Sequence, residues 1–333
     1  MTTVFVTGGS GFVGGRLIDR LVADGHTVRA LARSSSAAAK VAARGAMSVR
    51  GDLGDFRSLR AAATGCELAF HAAAAVTEMG TWDDFVHANV DGTRAVVDAC
   101  VAAGVSRLVH VSTEAVLMNG QPLVNVNEET PRRPDSRAPY PATKARAEEI
   151  VQAANREGFE TVIVRPRFIW GRGDTTLLPR MVHLAKAGRL AWIGGGDNIT
   201  DVTHVDNVVE GLVLAAEKGR PGEIYFVTDG QPARFREFIS DLLRTQGVEP
   251  RARSVPVAVA GALTWAGETA WKLLPLKGAP PLPYIAYWVS SLECTIDISK
   301  ARRELGYAPI TTREQGMAEL RDSASDRGEV IAP

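Results

Sequence analysis

Short apolar runs alternate with stretches of helical periodicity through the first half of the chain. The runs fall at 4–7, 27–32, 47–50, 68–72, 107–112 and 161–165, each the length of a strand buried in a parallel sheet. Between the first two, Leu17, Ile18, Leu21 and Val22 recur at helical spacing and turn one apolar stripe toward a sheet. Gly25 supplies the stop. A strand, helix, strand rhythm needs crossover connections, which are nearly always right-handed. The predicted fold is therefore α/β, a doubly wound parallel sheet of the Rossmann kind. After about Gly171 the rhythm loosens and prolines multiply. Residues 1–170 are expected to form the sheet domain, and 171–333 a smaller mixed lobe with some segments returning to that sheet.

Composition narrows the class without naming a function. A chain of 333 residues, 45% of them hydrophobic, buries a full core. Its 38 Lys and Arg balance 38 Asp and Glu, so no global field gathers nucleic acid. The cysteines Cys66, Cys100 and Cys294 have no metal-like spacing, no histidine pair has one either, and the odd number fits a reducing compartment. No metal is expected. The first residues enter a strand directly, without a basic leader, so a cytoplasmic protein is expected. The longest uncharged stretches, 254–267 and 278–292, are shorter than the roughly 20 residues a spanning helix needs. Peripheral contact with a membrane remains open.

Three motifs carry chemistry. Thr7-Gly8-Gly9-Ser10-Gly11-Phe12-Val13-Gly14 follows the first strand and opens the first helix, with glycines at 8, 11 and 14. Glycine lets backbone N–H groups approach a pyrophosphate at the positive end of the helix. This order of strand, glycines and helix predicts a dinucleotide site. The second strand ends at Ala32-Arg33, where an NAD-binding fold would place an acid for the ribose 2′-OH. Arg33 instead suits a 2′-phosphate, so NADP is preferred over NAD. Asp52, after the third strand, suits an adenine amino group or a helix cap.

Tyr140-Pro141-Ala142-Thr143-Lys144 sets a phenol and an ammonium four residues apart on one helix face. A nearby cation favours phenolate, so the pair makes a tunable acid and base. Ser112 and Thr113 end the fifth strand, at the sheet edge where such folds bind ligands, and either hydroxyl can meet a substrate oxygen.

Together these features resemble the extended short-chain dehydrogenase/reductase superfamily, which also contains the NAD-dependent epimerases and dehydratases. Further matches lie at His71-Ala72-Ala73-Ala74, Asn89-Val90-Asp91-Gly92-Thr93, Arg165-Pro166, His204-Val205-Asp206-Asn207 and Asp297-Ile298-Ser299-Lys300-Ala301, and at Leu305-Gly306-Tyr307. The resemblance implies that Thr113 is the catalytic hydroxyl, with Ser112 in reserve, Tyr140 the proton donor or acceptor, and Lys144 the ribose-binding partner. It also implies cofactor contacts from Gly8, Gly11, Phe12, Val13, Gly14, Arg33, Asp52, Leu53, Ala72, Ala73, Lys144 and Pro166. A homodimer through helices around 89–103 and 140–157 is a further expectation of the likeness.

Departures refine it. Dehydratases of the superfamily carry Asp-Glu after the Thr, whereas this chain has Glu114-Ala115; epimerases place an Arg where Thr200 stands. In their place come apolar segments with Trp265, Trp271, Tyr284, Tyr287 and Trp288, among which Ile285, Trp288, Val289 and Leu292 recur at helical spacing. Such a stripe serves core or dimer contact as readily as a ligand wall. This region most resembles the 3β-hydroxysteroid dehydrogenase-like branch, with its sterol dehydrogenases and reductases of long-chain 2-alkyl-3-oxo acids. The expected function is NAD(P)-dependent interconversion of a secondary alcohol and ketone on a bulky apolar small molecule. The alternatives are a nucleotide-sugar epimerase and a non-catalytic dinucleotide sensor.

Overall fold

The computed structural model describes residues 1–76, 80–251, 253–274, 276, 278 and 280–326. Residue 279 of the 278–292 stretch and residues 327–333 of the second lobe thus lie outside the described residues. Five strands open the main sheet: β1 Thr3–Thr7, β2 Thr27–Ala32, β3 Met47–Arg50, β4 Leu68–His71 and β5 Arg107–Val111. Two more join them, Glu160–Pro166 and Ile224–Val227. The order is Ile224–Val227, Glu160–Pro166, β5, β4, β1, β2, β3, and every pairing is parallel.

This order reverses at β1, where chain connections leave to opposite sides and a crevice opens at the strand C-termini. Thr7, His71 and Val111 end their strands beside it. β4 and β5 each stop one residue before the pattern of apolar positions suggests. Ala72 and Ser112 already lead the chain out over the crevice.

Helix α1, Phe12–Ala23, buries Leu17, Ile18 and Leu21 against the sheet, and Gly25 adopts φ +83° just beyond its end. The helix Pro139–Ala153 starts with proline in its first turn, where no intrahelical N–H is needed. Pro141, Ala142, Thr143, Lys144, Ala145, Ala147, Glu148 and Val151 are buried on it, a wide band for one helix. Glu148 explains part of that width. Arg165 Nε and Nη2, from the Glu160–Pro166 strand, donate to the two Glu148 oxygens at 2.8 and 2.6 Å, with both side chains buried. A matched buried pair of this kind locks the helix axially on the strand, since breaking it strands a charge.

Past the crevice, Ala233–Arg234, Ile199–Thr200, Cys294–Ile296 and Leu123–Val126 form a second, four-stranded sheet in that order. The helices Val257–Leu273 and Tyr284–Ser291 pack on each other beyond it. All three cysteines are buried and free. Among the described residues no helix is long and apolar enough to cross a membrane.

Candidate active site

The glycine turn is as tight as the motif implies. Gly8 has φ +74°, and a Cβ there would lie 2.6 Å from the Ala72 carbonyl carbon and the Ala73 nitrogen. At Gly14 a Cβ would come within 2.3 Å of the Gly8 oxygen. Both positions exclude any side chain. Gly11 caps α1 with no side-chain hydrogen bond, and no acid lies in the first turn. The helix therefore presents its free N–H groups, with Phe12 and Val13 leading it, to the crevice. A cradle of bare N–H groups at a positive helix end fits a pyrophosphate.

The other cofactor candidates surround this turn. Ala72 and Ala73 donate their N–H groups to the Thr7 carbonyl and hydroxyl at 3.3 and 3.4 Å, which holds their peptide under Gly8. Arg33 is exposed and makes no hydrogen bond or ion pair with any described residue. Beside it Ser34 caps the helix Ser35–Ala42 by accepting from the Ala37 N–H. The Ser and Ala patch from Ser34 reads in the sequence as a loop entering a helix, but not as a second helix end beside the cofactor crevice. Asp52 is exposed and accepts from the Gly54 N–H at 3.0 Å. The helix-cap role weighed for it belongs to Asp55, which accepts from the Arg57 and Ser58 N–H groups. Leu53 packs against the core near Gly92, and Pro166 pairs with Val227 at the end of its strand.

Tyr140, Thr113 and Lys144 converge at the end of β5. Burial and then the Glu114 carboxylate hold the Tyr140 phenol above its usual value, with the neighbouring Thr113 hydroxyl opposing them. Tyr140 thus keeps its proton at neutral pH. Ser112, the reserve candidate, is buried with its hydroxyl unpartnered among the described residues.

Lys144 points somewhere the motif does not foretell. Its Nζ donates to the Val111 carbonyl at 2.9 Å and lies 3.0 Å from His110 Nε2. Both side chains are buried, and burial draws the ammonium down to about 8 although Glu148 opposes it. With two of three N–H groups used by the protein, one remains for a ligand. The ammonium forces His110 to accept at Nε2 and so to carry its proton on Nδ1, which is buried without a partner among the described residues. Burial, Lys144 and His71 keep His110 neutral, well below its ordinary pKa.

The His71 ring lies 5.1 Å from that of His110, tilted by 44°, and is itself drawn to about 3 by burial and Lys144. Its Nδ1 lies 2.7 Å from the Thr7 hydroxyl and its Nε2 3.0 Å from that of Thr93. Because Thr93 gives its proton to the Asn89 carbonyl, His71 carries its own on Nε2 and accepts from Thr7. Asn89 continues the chain, bonding both the N–H and carbonyl of Ala75 and the Thr143 hydroxyl. A histidine inside an apolar strand signals a packed or hydrogen-bonded ring, but not that His110 meets Lys144, and the Asn89 contacts carried no such signal.

On the far wall, Glu114 is buried and ion-paired to Arg167, whose Nε and Nη2 also donate to Thr200 Oγ1 at 3.3 and 3.0 Å. Thr200 is thereby absorbed into the interior, not turned to a ligand. Trp288 is buried in the hydrophobic cluster against which Tyr140 packs, stacked on Tyr284 at 5.5 Å. Trp265 stands 62% exposed on the outer helix. The two tryptophans do not form one ligand wall. His204, Asp206 and Glu319 approach within 4.8 Å of each other, but both Asp206 oxygens accept from Arg16.

The 3-beta hydroxysteroid dehydrogenase/isomerase family model matches residues 5–257. A 4-hydroxy-2-methyl-3-oxo-4-farnesyl-3,4-dihydroquinoline-1-oxide ketoreductase of Stigmatella aurantiaca is 46% identical over 319 residues, 96% of each chain. A 2-alkyl-3-oxoalkanoate reductase of Stenotrophomonas maltophilia is 37% identical, with 97% of this chain and 99% of that one covered. Among solved structures, a dTDP-glucose 4,6-dehydratase of Streptomyces venezuelae with NAD bound aligns over 98% of each chain, at 26% identity and a TM-score of 0.76.

Proposed function

The chain belongs to the 3-beta hydroxysteroid dehydrogenase/isomerase family and is an NAD(P)-dependent dehydrogenase or reductase acting on CH–OH; from that premise we propose that it interconverts a ketone and a secondary alcohol on a bulky, largely apolar molecule. The observation that carries this is the protonated Tyr140 phenol beside Thr113, with the Lys144 ammonium buried at the end of the same strand, β5. In reduction Tyr140 gives its proton to the substrate oxygen, while Thr113 holds that oxygen in place. Lys144 uses its remaining N–H to fix the ribose. The nicotinamide, when bound, supplies the hydride.

NADP is the preferred cofactor in this reading, supported by the unpaired Arg33 beside the capped helix end at Ser34. The substrate class is supported by the relatives. The Stigmatella enzyme acts on a farnesyl-bearing 3-oxo compound and the Stenotrophomonas enzyme on a 2-alkyl-3-oxoalkanoate. A sterol-like or long-chain 3-oxo compound is the class we assign. A nucleotide-sugar is disfavoured in this reading, because the position where an arginine would meet the diphosphate is a buried, internally bonded Thr200.

We further place a homodimer contact on the groove between the helices Gly92–Ala103 and Pro139–Ala153, where Val90, Val101 and Ile150 alternate with Arg94, Asp98 and Glu149. Sedimentation at micromolar concentration tests it, a monomer refuting it. The function itself is tested by following NADPH at 340 nm with apolar ketones. Oxidation of NADPH tied to alcohol formation supports the reading, and no turnover of any apolar ketone removes it.

A further inference from the structure

Glu114 poses a problem for the chemistry just described. A carboxylate beside the reacting oxygen opposes the negative charge that grows there during reduction, and it already holds the Tyr140 phenol up. Arg167 neutralises one side of it, through Oε1. The other oxygen, Oε2, accepts from the Thr113 hydroxyl at 2.8 Å. Thr113 has a single proton. When that proton turns to a substrate carbonyl, Oε2 is left buried without a donor, a state that burial penalises.

We propose that Glu114 Oε2 is the receptor for a substrate hydroxyl, and that the preferred substrates are ketones with an O–H on the carbon next to the carbonyl. This rests on the functional reading above and specifies its substrate. The distances agree. A ketone oxygen held by Thr113 sits one hydrogen bond from the Thr113 oxygen, and Oε2 lies 2.8 Å from that same atom. A hydroxyl on the neighbouring carbon spans the space between ketone and carboxylate. It replaces the bond that Thr113 withdraws, and it partly screens the reacting oxygen from the carboxylate charge.

The same geometry disfavours two other substrates. A plain ketone leaves Oε2 bare. A 3-oxo acid brings a second carboxylate toward Glu114, while Arg167 is already committed to Glu114 and Thr200.

Glu114→Gln separates this role from scaffolding. Arg167 Nη1 requires an acceptor, so the amide oxygen takes the Oε1 place and the NH2 takes that of Oε2. An NH2 donates and cannot receive the hydroxyl. The experiment measures kcat/KM with NADPH for three substrates of one chain length: a 2-hydroxy ketone, its parent ketone and a 3-oxo acid. Equilibrium binding of the first two is measured alongside.

For the wild type the hydroxy ketone is expected to exceed the parent ketone by tenfold or more in kcat/KM, and to bind more tightly. In Glu114→Gln the ratio is expected to fall to within about threefold. A wild-type ratio near one overturns the proposal, whatever the variant does and even if it fails to fold. So does a variant that keeps the full ratio, or a 3-oxo acid turned over faster than the hydroxy ketone. Equal turnover of the two ketones removes this inference alone, whereas turnover of neither removes the functional reading and this inference with it.

Discussion

The crevice and the outer helices are built in opposite ways. On the cofactor side, Thr7, His71, Thr93 and Asn89 form one buried hydrogen-bonded chain that ends on Thr143, His110 and Lys144 form a second, and the two meet where the His71 and His110 rings lie 5.1 Å apart. On the outer side, the helix Val257–Leu273 leaves Leu263 and Trp265 each 62% exposed and Leu273 77%. Reaction geometry tolerates little play, so its groups sit on strands and a clamped helix. A helix face turned to solvent has no such need. Change in the first region should alter chemistry, and change in the second should leave it nearly untouched.

The sharpest way to break this contrast is Tyr140→Phe. It should cut kcat by about 10² or more while NADPH affinity, read by fluorescence titration, stays nearly constant. Retention of more than about a tenth of turnover, with chemistry rate-limiting, would move the proton donor elsewhere.

A smaller effect is expected at the far end of the cofactor. Arg33→Ala should weaken NADPH relative to NADH by roughly 1–3 kcal/mol, the worth of a charge-assisted hydrogen bond. Equal losses for both cofactors, or a native preference for NADH, would remove Arg33 from the 2′-phosphate site.

His110→Phe probes the buried chain itself. Lys144 has its pKa lowered to about 8 by burial, so the ammonium is present below that pH and lost above it. The alkaline limb of kcat/KM for reduction should accordingly begin near pH 8. Removing the acceptor at His110 destabilises the ammonium further and should move that limb to lower pH, while His110→Gln, which keeps an acceptor, should move it less. An unmoved limb in both would leave His110 as packing. The mildest effect belongs to the outer helix, where Trp265→Ala should leave folding and kcat close to wild type, since its ring is mostly in solvent.

The cofactor side was also the legible one. Apolar runs bounded by turns marked six of the seven strands to within one or two residues, because a parallel strand buried on both faces has few other patterns open to it. Ile224–Val227 escaped, arriving after a long irregular passage although its four residues are fully apolar and buried. Glycines 8 and 14 were readable because their backbone conformation or packing admits no side chain. The polar partners were harder to read. Glu114 stood only as the first position of a dehydratase acid pair whose second acid is replaced by Ala115, and nothing singled out Arg167, until folding set the two against each other across 53 residues. Charge inside a strand-like stretch demands a buried partner, but sequence alone does not say which one. The tryptophans misled for a related reason: a helical stripe shows that a face exists, not what it faces. Trp288 turned to the core, and Trp265 to solvent.

The central claim is reduction of an apolar ketone by Tyr140 and Thr113 at this crevice. It is tested most directly by kcat/KM with NADPH across a homologous series of ketones of increasing chain length or ring count, with a UDP-sugar as comparator. Each buried CH₂ contributes up to about 0.8 kcal/mol, so kcat/KM should rise severalfold per few added carbons until the pocket is full. A flat series, or a UDP-sugar turned over faster than every apolar ketone, would contradict the account.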